Sequence, residues 1–171
     1  MEDNNKIGLV LSGGGSKGFA HIGLLKILDE EKIPVDYIVG TSMGSIIGAL
    51  YSMGYSANEI EEIVLSRDWL SYFSDLISRE NELIENKEDR DKYIMSLSLD
   101  NWKLSLPKGV IRGQTIDKIL EELYLNTKDI DDFSKLPIPF ACVATDAETG
   151  KEVVYTKGYL PEVIRASMSL L

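Results

Sequence analysis

The 171-residue chain is 44% hydrophobic and 27% charged, a soluble-globular composition that excludes a disordered or fibrous protein and suits one domain over residues 1–171. One cysteine, Cys142, and one histidine, His21, cannot close a zinc site from the usual sulfur and imidazole ligands, so no metal is expected. With 18 basic against 28 acidic side chains and a formal net charge of −10, a nucleic-acid partner is disfavoured, because phosphates need clustered Lys and Arg; uncharged contact with lipid does not depend on net charge.

Met1 to Lys6 is polar and acidic, without the basic-then-apolar order of a secretory signal, and no run approaches the roughly 18 apolar residues of a membrane span. Ile7 to Leu11 reads as a buried strand ending in the glycine turn Ser12-Gly13-Gly14-Gly15. From Lys17 to Glu31 the residues Phe19, Ile22, Leu24, Leu25, Ile27 and Leu28 follow a helical spacing, with Pro34 just beyond. Val35 to Val39 predicts a second strand, followed by Gly40-Thr41-Ser42-Met43-Gly44 and the apolar helix Ser45 to Met53, closed by Gly54. Strand, helix, strand at these lengths form a βαβ unit with parallel strands and a right-handed connection, which makes the class α/β.

Asn58 to Ser66 reads as a helix with Asn58 as N-cap, and Arg67 to Ile77 continues it with Trp69, Leu70, Phe73, Leu76 and Ile77 on one side. Arg79 to Asp91 is dense in both charges and reads as a solvated loop. Tyr93 to Leu99 alternates like a half-buried strand that Asn101 to Pro107 can pair with, and Gln114 to Leu125 returns to helical spacing. Phe140 to Ala144 is a third core strand running into the turn Thr145 to Gly150, with Glu152 to Tyr155 as hairpin partner. Val163, Ile164, Met168, Leu170 and Leu171 make an apolar finish, from which the natural chain is expected to continue.

Gly40-Thr41-Ser42-Met43-Gly44 has the G-x-S-x-G form between a strand and a helix, the context in which a sharp turn lifts a serine hydroxyl onto the C-terminal edge of a sheet. A serine there also meets the next helix N-terminus, whose free N–H groups favour developing negative charge. On the motif alone, Ser42 as nucleophile and Ser42 as a simple helix cap both stand.

Gly13-Gly14-Gly15-Ser16-Lys17-Gly18 fits G-x-G-x-x-G, so a dinucleotide loop must be weighed. The acid that should close the second strand and bind ribose is missing: that strand ends Val39-Gly40, and Asp36 lies at its other end. A P-loop fails as well, because no Gly-Lys-Ser/Thr follows. The remaining functional reading is an oxyanion hole, in which adjacent glycines let backbone N–H groups approach a substrate carbonyl, worth roughly 3 to 4 kcal/mol per donor. If the two strands are neighbours, both glycine loops share one sheet edge and one site.

A serine nucleophile needs a base, yet no histidine follows Ser42, so the ordinary Ser-acid-His order is not completed within these residues. His21 is expected to be structural, since nothing near it resembles an orienting acid. Asp146, at the end of a core strand, is the one acid placed near the same edge, with turn formation as its competing role.

These residues resemble the patatin-like phospholipases, serine lipid acyl hydrolases with a Ser-Asp dyad. The likeness is carried by Gly13 to Gly18, Gly40 to Gly44, Ala144-Thr145-Asp146 with Glu148-Thr149-Gly150, and Arg165-Ala166-Ser167-Met168-Ser169. It implies a three-layer α/β/α fold with a mainly parallel sheet, cut short at the C-terminus. Ser42 is then the nucleophile, flanked in the elbow by Gly40, Thr41, Met43 and Gly44, and the loop Gly13, Gly14, Gly15, Ser16, Lys17 and Gly18 holds the oxyanion. It also implies no cofactor, a phospholipid substrate at a membrane surface, and a base from an Asp-Gly-Gly or Asp-Gly-Ala motif. That motif is absent here and expected beyond Leu171; Asp146 is structural in the resemblance.

Leu106-Pro107-Lys108-Gly109-Val110 with Gln114 looks closer to bacterial secreted patatins fused to an outer-membrane barrel, which makes the compartment cytoplasmic or, on that branch, the cell surface. A homo-oligomer is compatible with the sequence. Leu65 to Ile77, with Trp69, Tyr72, Phe73 and Leu76, is either a lid or an ordinary packed helix, the latter favoured. A nucleotide-binding α/β protein and a lipid-binding module without turnover are the competing functions.

Overall fold

A computed structural model describes residues 6–67, 69, 98–100, 103–105 and 108–169. In chain order the elements are β1 (Gly8–Leu11), α1 (Ala20–Glu30), β2 (Tyr37–Thr41), α2 (Met43–Ser52), α3 (Ala57–Leu65), a hairpin of β3 (Ser98–Asp100) and β4 (Lys103–Ser105), α4 (Lys108–Leu123), β5 (Phe140–Thr145), β6 (Glu152–Tyr155) and α5 (Leu160–Met168). The main sheet has the order β1-β2-β5-β6. Its first three strands are parallel, with Leu11, Gly40 and Cys142 in one row, and β6 returns antiparallel to β5. This is an α/β fold with a mostly parallel sheet, as the βαβ pattern requires.

The core sits between one face of that sheet and α2. All ten residues of α2 are buried, the pattern of a helix enclosed in a core rather than one lying on a surface. It can press on the sheet because Gly48 has no Cβ: one placed there would stand 3.0 Å from Ile38 Cγ2 and 3.3 Å from Leu11 Cδ1. Val163 of α5 contributes its carbonyl against the Cys142 thiol on the same face. Val10, Tyr37 and Val154, which point the other way along the strand alternation, are exposed.

Three helices are tied at a single carboxylate. Asp29 in α1 accepts the Tyr51 hydroxyl of α2 at 2.6 Å and the Ala57 amide, the first of α3, at 2.8 Å. Burial and the adjacent Asp29 push the Tyr51 hydroxyl well above the ordinary tyrosine pKa.

Several expected boundaries move. β2 runs through Gly40 to Thr41 instead of ending at Val39. A 3-10 turn, Gly15–Phe19, precedes α1, and α4 starts six residues before Gln114. The expected cap Asn58 is corrected: Ser56 is the N-cap of α3, its hydroxyl accepting from the Glu59 amide while the Glu59 carboxylate accepts from the Ser56 amide at 2.8 Å. This reciprocal pair satisfies two otherwise orphaned groups, which Asn58, already inside the first turn, cannot do. Helix α5 has no counterpart among the expected elements.

Trp69 is buried and meets Phe19 edge-on, ring centroids 6.2 Å apart, so at that residue the packed reading of Leu65 to Ile77 holds. The helix itself ends at Leu65, so Arg67 does not continue it; residues 68 and 70–77 of the expected continuation, the charged run Arg79 to Asp91, and residues 93–97 lie outside the described residues. Where the second strand pair is described, β3 and β4 pair antiparallel.

Candidate active site

Parallel pairing of β1 with β2 sends both glycine segments out of the same sheet edge, and they meet there. Ser42 follows β2 directly, with φ 51° and ψ −120°, a conformation that non-glycine residues rarely occupy. Although it stands at the N-cap position of α2, its side chain makes no capping hydrogen bond. The helix-cap reading of Ser42 therefore loses the contact that would define it.

The bend is possible because of two missing Cβ atoms. One added to Gly40 would stand 2.5 Å from Ser45 Cα and 2.6 Å from the Gly44 carbonyl oxygen. One added to Gly44 would strike the end of β1, at 2.5 Å from the Leu11 carbonyl carbon and 2.6 Å from the Ser12 oxygen. Real Cβ atoms do not approach backbone this closely, so glycine at both positions is a requirement of the turn.

The glycine loop closes on the elbow from the β1 side. A Cβ on Gly13 would lie 3.1 Å from Ser42 Cβ and 3.9 Å from Ser42 Oγ, and one on Gly18 would lie 2.5 Å from Met43 Cγ. Gly14 and Gly15 take φ of 146° and 55°, and the 3-10 turn begins with the Lys17 amide bonded to the Gly14 carbonyl at 3.2 Å. Gly13, Gly18, Ser42, Met43 and Gly44 are thus brought together, with Gly14, Gly15 and Ser16 in the same loop. Lys17 is exposed there and Thr41 is half-buried.

His21 bonds through Nε2 to the Ser12 carbonyl at 2.9 Å. A carbonyl only accepts, so Nε2 carries the proton. The histidine fixes the residue that enters the glycine loop, as its expected structural role requires. Asp146 ends β5 at the same edge, but its Oδ1 is committed to the turn: it accepts from the amides of Glu148 (3.0 Å) and Thr149 (2.7 Å) and from the Thr149 hydroxyl (2.9 Å). The Thr149 amide and hydroxyl hold its carboxyl below the ordinary aspartate pKa, the opposite of what a general base near neutrality needs.

Sequence reasoning gave no role to the serines that hold the elbow. The Ser42 carbonyl accepts the Ser45 hydroxyl at 2.6 Å together with the amides of Ser45 and Ile46. The Ser42 amide donates to Ser167 Oγ at 2.8 Å, and that hydroxyl donates in turn to the Val143 carbonyl of β5 at 2.5 Å. Cys142 lies beneath, its thiol pushed up in pKa by burial. Both serines occupy apolar helix faces, a signal that each needs a polar partner.

Fold and rim together define an α/β protein with a serine elbow set against a glycine loop. A patatin-like phospholipase family model matches residues 9–171, and the chain belongs to that family. It is 32% identical over 166 residues to human patatin-like phospholipase domain-containing protein 6, covering 97% of this chain and 10% of that protein. It is 27% identical over 164 residues to an NTE family protein of Mycobacterium tuberculosis, covering 96% of this chain and 23% of that one. The chain thus spans about a tenth to a quarter of these relatives' length. Among solved structures it superimposes on ExoU of the Pseudomonas aeruginosa type III secretion system, crystallised with SpcU, with a TM-score of 0.52 and 20% identity; 96% of this chain and 38% of that chain are covered. That likeness is one of fold.

Proposed function

We propose that this chain is a serine acyl hydrolase domain that cleaves carboxylic ester bonds of phospholipids through a Ser42 acyl-enzyme. The observation that carries the reading is the junction of Gly13 with Ser42: a serine held at φ 51° with its Oγ beside a glycine loop. Strained backbone at such a turn is how a nucleophile is presented, and strain persists only where the surroundings enforce it. Ser42 Oγ attacks the ester carbonyl while the Gly13 to Gly18 loop presents N–H groups to the developing oxyanion. The ester C–O bond then breaks, the Ser42 proton passes by way of a general base to the departing alcohol, and water later releases the fatty acid. The general base is a carboxylate other than Asp146, whose Oδ1 is occupied three times over.

The nucleotide reading draws no support from the rim. The acid that would bind ribose at the end of the second strand is missing: β2 closes with Val39-Gly40-Thr41 and runs straight into the serine turn.

The test is a fluorophosphonate probe on the intact protein, with peptide mapping of the adduct, beside fatty-acid release from phosphatidylcholine vesicles. The probe is expected on Ser42. S42A, folded by circular dichroism, is expected to lose labelling and to lose turnover by a factor on the order of 10⁶. Ester cleavage retained by folded S42A overturns the reading, and vesicle binding without labelling or release indicates a lipid-binding module instead.

A further inference from the structure

An elbow that sits outside the favoured regions of backbone space is strained and must be held by its neighbours. One hold on Ser42 is local: its carbonyl accepts the hydroxyl of Ser45, three residues on. The other comes from 125 residues away, where Ser167 Oγ accepts the Ser42 amide at 2.8 Å and donates to the Val143 carbonyl at 2.5 Å. Direction is fixed in both bonds, because an amide can only donate and a carbonyl can only accept; the single hydroxyl proton goes to β5 and a lone pair faces the elbow. Ser167 is 2% exposed and Ser45 fully buried, so water does not stand in for either hydroxyl.

We propose that Ser167 is a positioning residue for Ser42, its hydroxyl using the β5 carbonyl as anchor to set where the elbow amide stands and thus how Ser42 Oγ meets the glycine loop. The inference rests on the hydrolase reading above and adds two consequences to it. First, the Ser42 amide is already committed, so the nucleophile's own N–H is not an oxyanion donor, unlike in the chymotrypsin arrangement, and the donors come from the glycine loop. Second, α5 is coupled to the elbow: displacement of α5 against β5 misdirects Ser42 without touching substrate.

Ser167→Ala removes the relay, leaving the Ser42 amide and the Val143 carbonyl without this partner. Ser167→Cys keeps the shape with a poor acceptor, and Ser167→Thr restores the hydroxyl. In the intact protein the readouts are the second-order rate of fluorophosphonate labelling, kcat and KM on a soluble short-chain ester, and thermal melting by circular dichroism. Folded Ala and Cys variants are expected to lose about 10²-fold in labelling rate and in kcat, the scale for roughly 1 Å of misplacement, with KM unchanged; Thr is expected to recover most of both. Wild-type labelling by either folded variant overturns the inference. So does loss of fold in both, which makes the hydroxyl a matter of stability alone, and so does a folded Thr variant that recovers nothing. S42A runs alongside: labelling that survives it strikes the hydrolase reading, whereas an inert S42A with a fully reactive S167A strikes only the positioning role.

Discussion

Replacing Gly44 with alanine tests whether the elbow and the glycine loop are locked together. The new methyl would sit 2.5 Å from the Leu11 carbonyl carbon and 2.6 Å from the Ser12 oxygen, atoms of backbone that cannot rotate aside. The Leu11 carbonyl oxygen is closer still, so recovering an ordinary 3.4 Å contact opens the joint by more than the roughly 0.8 Å that the Ser12 oxygen alone requires. Since Ser12 leads into Gly13, whose Cβ position is 3.1 Å from Ser42 Cβ, that opening falls on the gap between the glycine loop and Ser42. Overpacking of this kind costs about 1–3 kcal/mol, less than the roughly 5–15 kcal/mol of an ordinary domain, so the variant stays folded. Scanning calorimetry is expected to show a fall of roughly 2–4 °C for each kcal/mol, and fluorophosphonate labelling to slow by about 10²-fold. Gly23→Ala is the control: within α1 and exposed, with no atom within 4 Å of its Cβ position, it is expected to stabilise by about 1 kcal/mol. A Gly44→Ala variant that melts and labels like wild type refutes the argument.

Three further predictions concern the scaffold. The Ser52 hydroxyl is buried with no hydrogen-bond partner among the described residues, so Ser52→Ala is expected to stabilise by about 1 kcal/mol, read as a raised urea midpoint at unchanged slope. Tyr51→Phe breaks the 2.6 Å bond to Asp29, a cost of about 1.5–3 kcal/mol for a bond to a charged group. Because the Tyr51 pKa is raised above the ordinary 10.0, its contribution is complete below pH 10 and declines at higher pH, so alkaline denaturation curves should lose part of their slope in the variant. Asp132, accepting from the Ser134 amide and hydroxyl and paired with Lys157 at 3.2 Å, is lowered to a pKa of about 2. Its contribution is present above the ordinary value of 3.8 and disappears as pH falls through about 2, so Asp132→Asn should flatten acid denaturation across that window; an unchanged acid limb contradicts the assignment.

The parts of the fold visible in the sequence are those written in short-range pattern. Ile7 to Leu11 and Val35 to Val39 announce parallel strands, although only the face toward α2 is buried and Val10 and Tyr37 on the other face are exposed. The two glycine motifs announce their loops because Gly14 and Gly15 take positive φ and the backbone at Gly40 and Gly44 leaves no room for a Cβ. Boundaries were less visible where glycine misleads. Gly40 reads as the end of β2, whereas it lies inside the strand, with Ser45 Cα 2.5 Å from where its Cβ would be. At α3 the sequence offers both the capping-box signature Ser56-x-x-Glu59 and, two residues on, Asn58, another common cap residue, and only the box leaves its serine outside the first turn. Helix α5 also carried its own signs: Pro161 in the first turn, and Leu160, Val163, Ile164, Ser167 and Met168 at i, i+3, i+4, i+7 and i+8.

What the sequence does not contain is the partner of a buried hydroxyl. Ser167 falls in the apolar stripe of α5, as Ser45 and Ser52 fall in the enclosed helix α2, and each poses the same physical demand, since a desolvated hydroxyl without a hydrogen bond is costly. The three answers differ. Ser45 turns back on the Ser42 carbonyl within its own helix, Ser167 reaches across the sheet edge to the Ser42 amide, and Ser52 finds no partner among the described residues. Periodicity can therefore mark a polar residue on a core-facing stripe as a position with unfinished chemistry, but only the packing of α5 against β5 decides that the hydroxyl finishes at the elbow. Two of the three hydroxyls close on the one strained residue of the rim. That is where backbone strain and hydroxyl burial relieve each other, and it accounts for Ser45 and Ser167 in an otherwise apolar core.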